Sequence, residues 1–430
     1  MRTLYWLTDD LRLEDNPTLV SAIHDKTLDF VFCLNQQRFR TDRFGNRKIG
    51  KHRWRLLRES LFEFQSHLAE FGQTLNIMPG NPRETFGDLL ASGCFDRVVR
   101  TRQHAHEEMA DWRYLVERFP KVRFCQFDTS TLYRHASIQF DRAFPETFSQ
   151  FRRLLDDVPF RSMASVPKKL PCPSNVDFCG QEIVQPVETS LIAGGAAVGM
   201  RHVQNYFQTC AASRYKETRN ELSGERFSTG FSPWLAVGCV SPMQIVDQLN
   251  IYESNNGQNE STRWILFELM WREFFRWHAR YHDASLFKFS GITGKRPLTT
   301  FYRERFLKWC SGGTPWPIVN ACMNELRETG CLSNRGRQIV ASSLVNELGL
   351  DWRCGAGYFE EMLIDYDPCS NWGNWQYIAG VGSDPRGGRH FNLEKQAATW
   401  DSDGRYRQRW SGAPVTNRLD SVDYYDWPRT

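Results

Sequence analysis

Five short apolar runs punctuate the first 130 residues, each long enough for a strand and too short for a helix. They are YWLT (5–8), FVFCL (30–34), LNIM (75–78), RVVR (97–100) and VRFCQF (122–127). Between the second and third, RWRLLRESLFEFQSHLAEFG (53–72) carries apolar residues at helical spacing, and Gly72 stands where a C-terminal cap belongs. Strand and helix in alternation predict a parallel sheet with helices on both faces. Such sheets take ligands beyond the carboxyl ends of their strands. No G-x-G-x-x-G follows the first run, so a dinucleotide fingerprint is not expected there. From Thr129 to Gly195 the pattern dissolves, and KKLPCPSNVDF and EIVQPVETSLIAGG have the Pro, Ser and Gly content of a surface linker. After Gly199 long amphipathic runs such as STRWILFELMWREFFRWHARY replace strand-like alternation. The expected organisation is an α/β domain over residues 1–130, a linker over 131–197, an all-α domain over 198–410 and an exposed tail over 411–430. No internal repeat is present.

Composition narrows this picture little. The 430 residues are 41% hydrophobic and 24% charged, which is ordinary for a globular chain. A net charge of +4 permits an anionic partner without requiring one. Fifteen Trp, most of them after residue 230, exceed what core packing calls for. MRTLYWLTDDLRL lacks the pattern of a signal peptide, and no apolar segment approaches the ~20 residues that span a bilayer, so a cytoplasmic protein away from membranes is expected. The twelve Cys include no C-x-x-C pair; five between Cys310 and Cys369 leave a buried iron–sulfur cluster as the one metal alternative, against a reduced thiol set.

Four segments of the helical half set polar groups among aromatics. YKETRNELSGERFSTGFSPWLAVG (215–238) offers hydroxyls and backbone N–H groups in a tight turn suited to phosphate, although Ser232 before Pro233 also reads as a helix cap. In FELMWREFFRWHARYH (267–282), Glu268, Trp271 and Arg272 share one helical face, a pattern equally expected of a structural ion pair and a core indole. LSNRGRQIVASSL (332–344) opens on Ser333 as a cap and turns Asn334 and Arg337 to one side, where they need acceptors. LIDYDPCSNWGNWQY (363–377) supplies them in Asp365 and Asp367, with Asn371 and two indoles. Phosphate donors, an arginine–carboxylate pair, amides and indoles together suit a flavin dinucleotide, whose ring reacts by single electrons.

These motifs, from WLTDDLRLEDNPTL to KQAATWDSDGRY, resemble the photolyase/cryptochrome family over nearly the whole chain. YKETRN, FSPWLAVGCVSP, STRWILFELMWREFFR, TGCLSNRGRQIVASSL and LIDYDPCSNWGNWQYIAGVGSDPR are most similar to its DASH-type cryptochromes. The resemblance implies a Rossmann-like α/β antenna domain, a long linker and a helical FAD-binding domain. It implies that Tyr215, Ser228, Thr229, Gly230, Phe231 and Ser232 form the FAD phosphate site, with Arg272 close to the flavin. Asp365 and Asp367 would face the flavin's polar edge and ribose, Arg337 would pair Asp365, and Asn371 would sit beside flavin N5. Glu268, Trp271, Asn334 and Gln338 would line the lesion cavity, with Tyr377 as a further DASH-like choice. Trp375 and Trp352 would carry electrons, and Arg219, Arg335 and Arg389 would contact DNA phosphates, where the plain alternative is a solvated basic face. The implied activity is blue-light-driven splitting of cyclobutane pyrimidine dimers by a monomeric lyase in single-stranded or looped DNA, where unstacking is cheapest. Glu107 in RTRQHAHEEMADW matches the residue that contacts a 5,10-methenyltetrahydrofolate antenna; a surface Glu at a helix start is the plain alternative.

The chain also departs from the family. The outer relay tryptophan should lie ten residues before Trp309, and that position is Thr299; Tyr302 and Trp309 are candidate substitutes. TPWP and VNACMN replace the usual stretches, bringing Asn320, Cys322 and Asn324, and Gly230 replaces a basic residue of the phosphate loop. These departures and the tail leave room for a second function, a blue-light receptor signalling through flavin redox state without repair. A (6-4) photolyase would need a histidine in the lesion pocket, which the NRGRQ segment does not offer.

Overall fold

The computed structural model describes residues 1–138, 140, 144–181, 192–384, 387–415 and 419–420. β1 (Arg2–Leu7), α1 (Pro17–Val20), β2 (Thr27–Leu34), α2 (Lys51–Glu70), β3 (Leu75–Pro79), α3 (Pro82–Ala91), β4 (Arg97–Thr101), α4 (His106–Arg118) and β5 (Arg123–Phe127) alternate as the pattern requires. All four strand pairings are parallel, in the order β3-β2-β1-β4-β5. β1 starts three residues earlier than expected and ends at Leu7. Thr3 is fully buried because its hydroxyl donates to Asp25 at 2.7 Å, while Thr8 N–H turns to Asp10 Oδ1 at 3.1 Å and leaves the ladder. Gly72 does end α2: at φ +68° it lets its own N–H reach Ala69 O and that of Gln73 reach Leu68 O, both at 3.0 Å.

The linker is not featureless. Thr147 and Gln150 form a capping box that starts α5 (Phe148–Leu154), and Phe148 and Phe151 bury against the helical domain. Seven residues between Pro145 and Pro159 are too few to show a helical period, so the surface-linker reading of 131–197 gave no sign of this helix. Its crossing is held by buried arginines. Arg161 grips Asp15 through two bonds of 2.6 Å, and Arg12 donates to Gly238 O at 2.8 Å and Thr129 O at 2.6 Å. Gly238 presses so close to Asp9 that a Cβ would lie 1.8 Å from its carbonyl oxygen. The EIVQPVETSL part of the linker (182–191) lies outside the described residues.

The rest is helical: α6 (Ala196–Phe207), α7 (Ala211–Thr218), α8 (Ser232–Ala236), α9 (Pro242–Asn256), α10 (Glu260–His282), α11 (Arg303–Ser311), α12 (Pro317–Thr329), α13 (Asn334–Ser342), α14 (Trp352–Met362), α15 (Pro368–Ala379), α16 (Leu393–Trp400) and α17 (Arg405–Arg409). One apolar cluster runs from Tyr5 and Phe30 through Trp234 and Val240 to Phe274, so the two domains share a core. A second gathers Trp309, Trp352 and Trp375 with the last helices.

The tail is exposed at Ser411, Ala413 and Pro414, yet it is tied to the helical domain. Asn320, fully buried, donates to Ala413 O at 2.8 Å, and Asn324 donates to Trp410 O at 2.9 Å. Arg305 pairs with Asp420 at 2.6 Å, and Val415 N–H reaches Thr314 O at 3.2 Å. The family departures in TPWP and VNACMN therefore hold residues 410–415 against α12; residues 416–418 and 421–430 lie outside the described set. No described helix is long and apolar enough to cross a membrane, and among the described residues no three metal-ligating side chains gather. The iron–sulfur alternative for Cys310–Cys369 falls with that: all twelve thiols are free and dispersed.

Candidate functional site

The turn between α14 and α15 carries the two acids. Asp367 caps α15, accepting from Ser370 N–H at 2.8 Å, which is why an acid precedes Pro368 here. Its other oxygen takes Arg276 Nη2 at 3.0 Å, with side chains only 13% and 3% exposed. Burial pushes the Asp367 carboxyl up, but Arg276 and Arg272 together hold it below the usual carboxylate range. Arg337 meets Asp365 through bonds of 2.8 and 3.0 Å, as expected, and Ser333 caps α13 by accepting from Gly336 N–H at 3.0 Å. Asn371 is buried one turn along α15 from Asp367, its amide donating to Ala356 O at 3.0 Å.

Arg272 does not pair with Glu268. It spans to Ser130 O at 2.6 Å and Leu235 O at 3.4 Å, tying the linker and the end of α8 to α10. Burial, and then its neighbour Arg276, bring its guanidinium down to about 10. Glu268 pairs instead with Arg219 and accepts from Trp264 Nε1 at 2.9 Å. Burial pushes its carboxyl up, against the pull of Arg219.

The S-T-G-F-S turn precedes α8. Tyr215 and Phe231 are buried, Ser228 and Thr229 are half-buried, and Gly230 sits at φ +64°, where a Cβ would lie 3.1 Å from His202. His202 Nε2 lies 2.8 Å from Thr229 O and braces the turn, a role no local motif announced. Ser232 is the first helical residue rather than the cap, and it is exposed. The cap reading is thereby corrected.

On the α10 side, Trp271 lies flat on Phe148 of the linker, rings 3.9 Å apart at 10°. That pairing backs one face of the indole, and Trp271 and Tyr377 line a common cavity with Phe275, His278 and Gly373. Gln338 on α13 keeps a buried Oε1 without a partner, and Asn334 opens the helix exposed. A buried acceptor of this kind needs a donor, from water or from a ligand. The three expected DNA-facing arginines are each engaged: Arg219 with Glu268, Arg335 over the Trp400 ring at 4.9 Å, and Arg389 with Asp384 at 2.7 Å and with the Tyr377 hydroxyl. Trp375 and Trp352 are both buried, and Thr299 is half-buried. Glu107 at the start of α4 is ion-paired to Lys48 and mostly exposed. Close by, Arg53 lies 4.5 Å over the Tyr366 ring, and burial raises Glu360 to about 7.

Paired acids, a capped amide helix, a glycine-permitted hydroxyl turn and an unsatisfied amide oxygen fit a flavin dinucleotide beside a polar substrate. Sequence reasoning missed Arg276, His202 and Phe148; only Arg276 had a signal, four residues from Arg272 on the same face.

Comparison with known proteins agrees. Residues 3–174 match the DNA photolyase family, and residues 264–425 match the FAD binding domain of DNA photolyase. Cryptochrome DASH of Idiomarina loihiensis is 44% identical over 99% of this chain and 96% of its own, and that of Vibrio parahaemolyticus is 42% identical over 99% and 97%. The solved cryptochrome of Synechocystis sp. superposes with a TM-score of 0.89 at 33% identity, covering 99% of this chain and 92% of its own. A chain with this sheet, this helical FAD-binding domain and these relatives belongs to the photolyase/cryptochrome family, in its DASH cryptochrome branch.

Proposed function

We propose that the protein repairs cyclobutane pyrimidine dimers in single-stranded DNA under blue light. FAD bound between α10, α13 and α15 would supply light-driven one-electron chemistry. The observation that carries the reading is the Trp271 indole, backed on one face by Phe148 and lining a common cavity with Tyr377. Trp271 would stack on the flipped lesion, while Glu268 and Gln338 would meet its base edges. On the opposite side Asp367, Arg276, Asp365 and Arg337 would fix the cofactor's polar groups, and Asn371 would present an uncharged amide to the ring. Arg219, Arg335 and Arg389 sit where strand phosphates could compete for them, so salt would weaken binding. Folate contacting Glu107 would require the Lys48 pair to open.

A second reading, a receptor without repair, is favoured by one observation: residues 410–415 are clasped by Asn320 and Asn324, two of the family departures. Anaerobic blue-light repair of a dimer in single-stranded and duplex oligonucleotides, with chemically reduced holoprotein, separates the two. Repair confined to single strands is expected. No repair on either substrate, with FAD present, would sink the enzyme reading in favour of the receptor.

A further inference from the structure

Thr299 leaves the expected tryptophan relay without its outer member, and two indoles stand near enough to replace it. Trp309 lies 6.3 Å from Trp375 at 71°, but it is completely buried and donates its Nε1–H to Val340 O at 3.0 Å. Trp372 lies 5.6 Å from Trp352 at 77°, packs on Phe287 at 4.9 Å, and is partly exposed. Distance does not choose between them. Solvation does. A positive charge moved toward water gains hydration, whereas one confined in a dry aromatic cluster loses it. Trp375 and Trp352 are 2% and 0% exposed, so Trp372 is the first indole where the charge meets solvent and Trp309 is a dead end.

Helix packing brings the three onto the facing helices α14 and α15. Gly355 has no Cβ because the Trp375 ring edge would lie 2.3 Å from it, which sets Trp375 against α14 three residues from Trp352. Trp372 is three residues before Trp375 on α15, facing Trp352. Its Nε1–H donates to the Tyr366 hydroxyl at 3.1 Å, and the Arg53 guanidinium over the Tyr366 ring opposes oxidation of the phenol. The charge therefore rests on the indole.

We propose that Trp372 is the terminal residue of the electron relay, replacing the outer tryptophan. This rests on the reading of Trp375 and Trp352 as donors to FAD. With FAD bound, the relay would run from Trp375 through Trp352 to Trp372, and a solution thiol would refill Trp372. Two rounds would turn two thiols into one disulfide, supplying two electrons and one proton to the flavin and releasing the second proton to solvent.

The test is blue-light photoreduction of the FAD-loaded full chain with dithiothreitol, followed by flavin absorbance and by the transient tryptophan-radical signal. Trp372→Phe should slow photoreduction by about tenfold or more and shorten the radical's lifetime, with FAD content unchanged. Trp309→Phe should stay within about twofold of the parent rate. Thr299→Trp, which restores the outer position, should rescue Trp372→Phe. An undiminished rate in Trp372→Phe, or a loss in Trp309→Phe instead, overturns the assignment while a dead Trp352→Phe upholds the inner relay. An undiminished rate in Trp352→Phe overturns the relay reading itself.

Discussion

Asp367→Asn removes one charge from the buried pair with Arg276 and leaves the helix cap in place, because asparagine caps about as well as aspartate. What disappears is the counter-charge of Arg276, whose side chain is 3% exposed and 3.0 Å from the carboxylate. Stranding one member of a buried pair costs about 3–5 kcal/mol, and Arg272 alongside adds like-charge repulsion. At about 2–4 °C per kcal/mol for a domain of some 150–250 residues, the helical domain should lose roughly 6–20 °C in Tm. Thermal unfolding by circular dichroism, with bound FAD measured in the same samples, reads both consequences. The pH dependence has a fixed sign. Asp367 is held below the ordinary carboxylate value, so its contribution is complete above about pH 4 and is lost as pH falls through the folded pKa. The gap between parent and Asp367→Asn must therefore narrow in acid. A variant within about 1 kcal/mol of the parent at neutral pH, or a gap that stays constant as pH falls, would refute the assignment of Asp367 and Arg276 as a stabilising pair.

Two further perturbations test the C-terminal clasp. Asn320→Ala leaves Thr314 N–H and Ala413 O without their partners and should cost about 2–4 kcal/mol, with faster proteolytic cutting near residue 413. Burial raises the Glu325 carboxyl to about 7, against the pull of the Tyr406 hydroxyl, so the folded state favours the protonated acid. That stabilisation is present below about pH 4 and lost as pH rises through 7, so Glu325→Gln should gain on the parent by on the order of 3 kcal/mol at alkaline pH in urea melts. A constant difference across that range would mean that Glu325 does not titrate in the folded protein.

Much of this was legible in sequence wherever a period or a cap carried it. Alternating runs gave the strand count and the parallel sheet, Gly72 and Ser333 stand where spacing put them, and Arg337 pairs Asp365 as the family resemblance implied. What stayed hidden depended on partners far along the chain. Arg161 reads as a linker cation, yet it is buried against Asp15, 146 residues away. Ser232 looks like a cap because Pro follows it, but the helix begins one residue earlier, since Phe231 packs inward and takes the boundary position. α5 is too short for a hydrophobic period, and the clasp of residues 410–415 rests on amides whose acceptors are backbone carbonyls, which carry no sequence signal.

The same physics explains why the site is scattered over so much sequence. α10 is enclosed on nearly every side, so each polar side chain it carries inward needs a partner from another segment. Glu273 takes Leu132 N–H at 2.9 Å, Arg272 takes Ser130 O, Arg276 takes Asp367 and Glu268 takes Arg219, while Trp271 takes Phe148 as its stacking partner. Three of these partners belong to the linker or its entry, which the sequence pattern marks as mere connection. A buried helix with polar residues at successive turns therefore recruits its surroundings, and the segment between the domains becomes one wall of the site. Substitutions in the linker at Phe148 should consequently act on the orientation of the Trp271 ring before they act on domain association, because the ring contact is direct and the domains are held separately by Arg12 and Arg161.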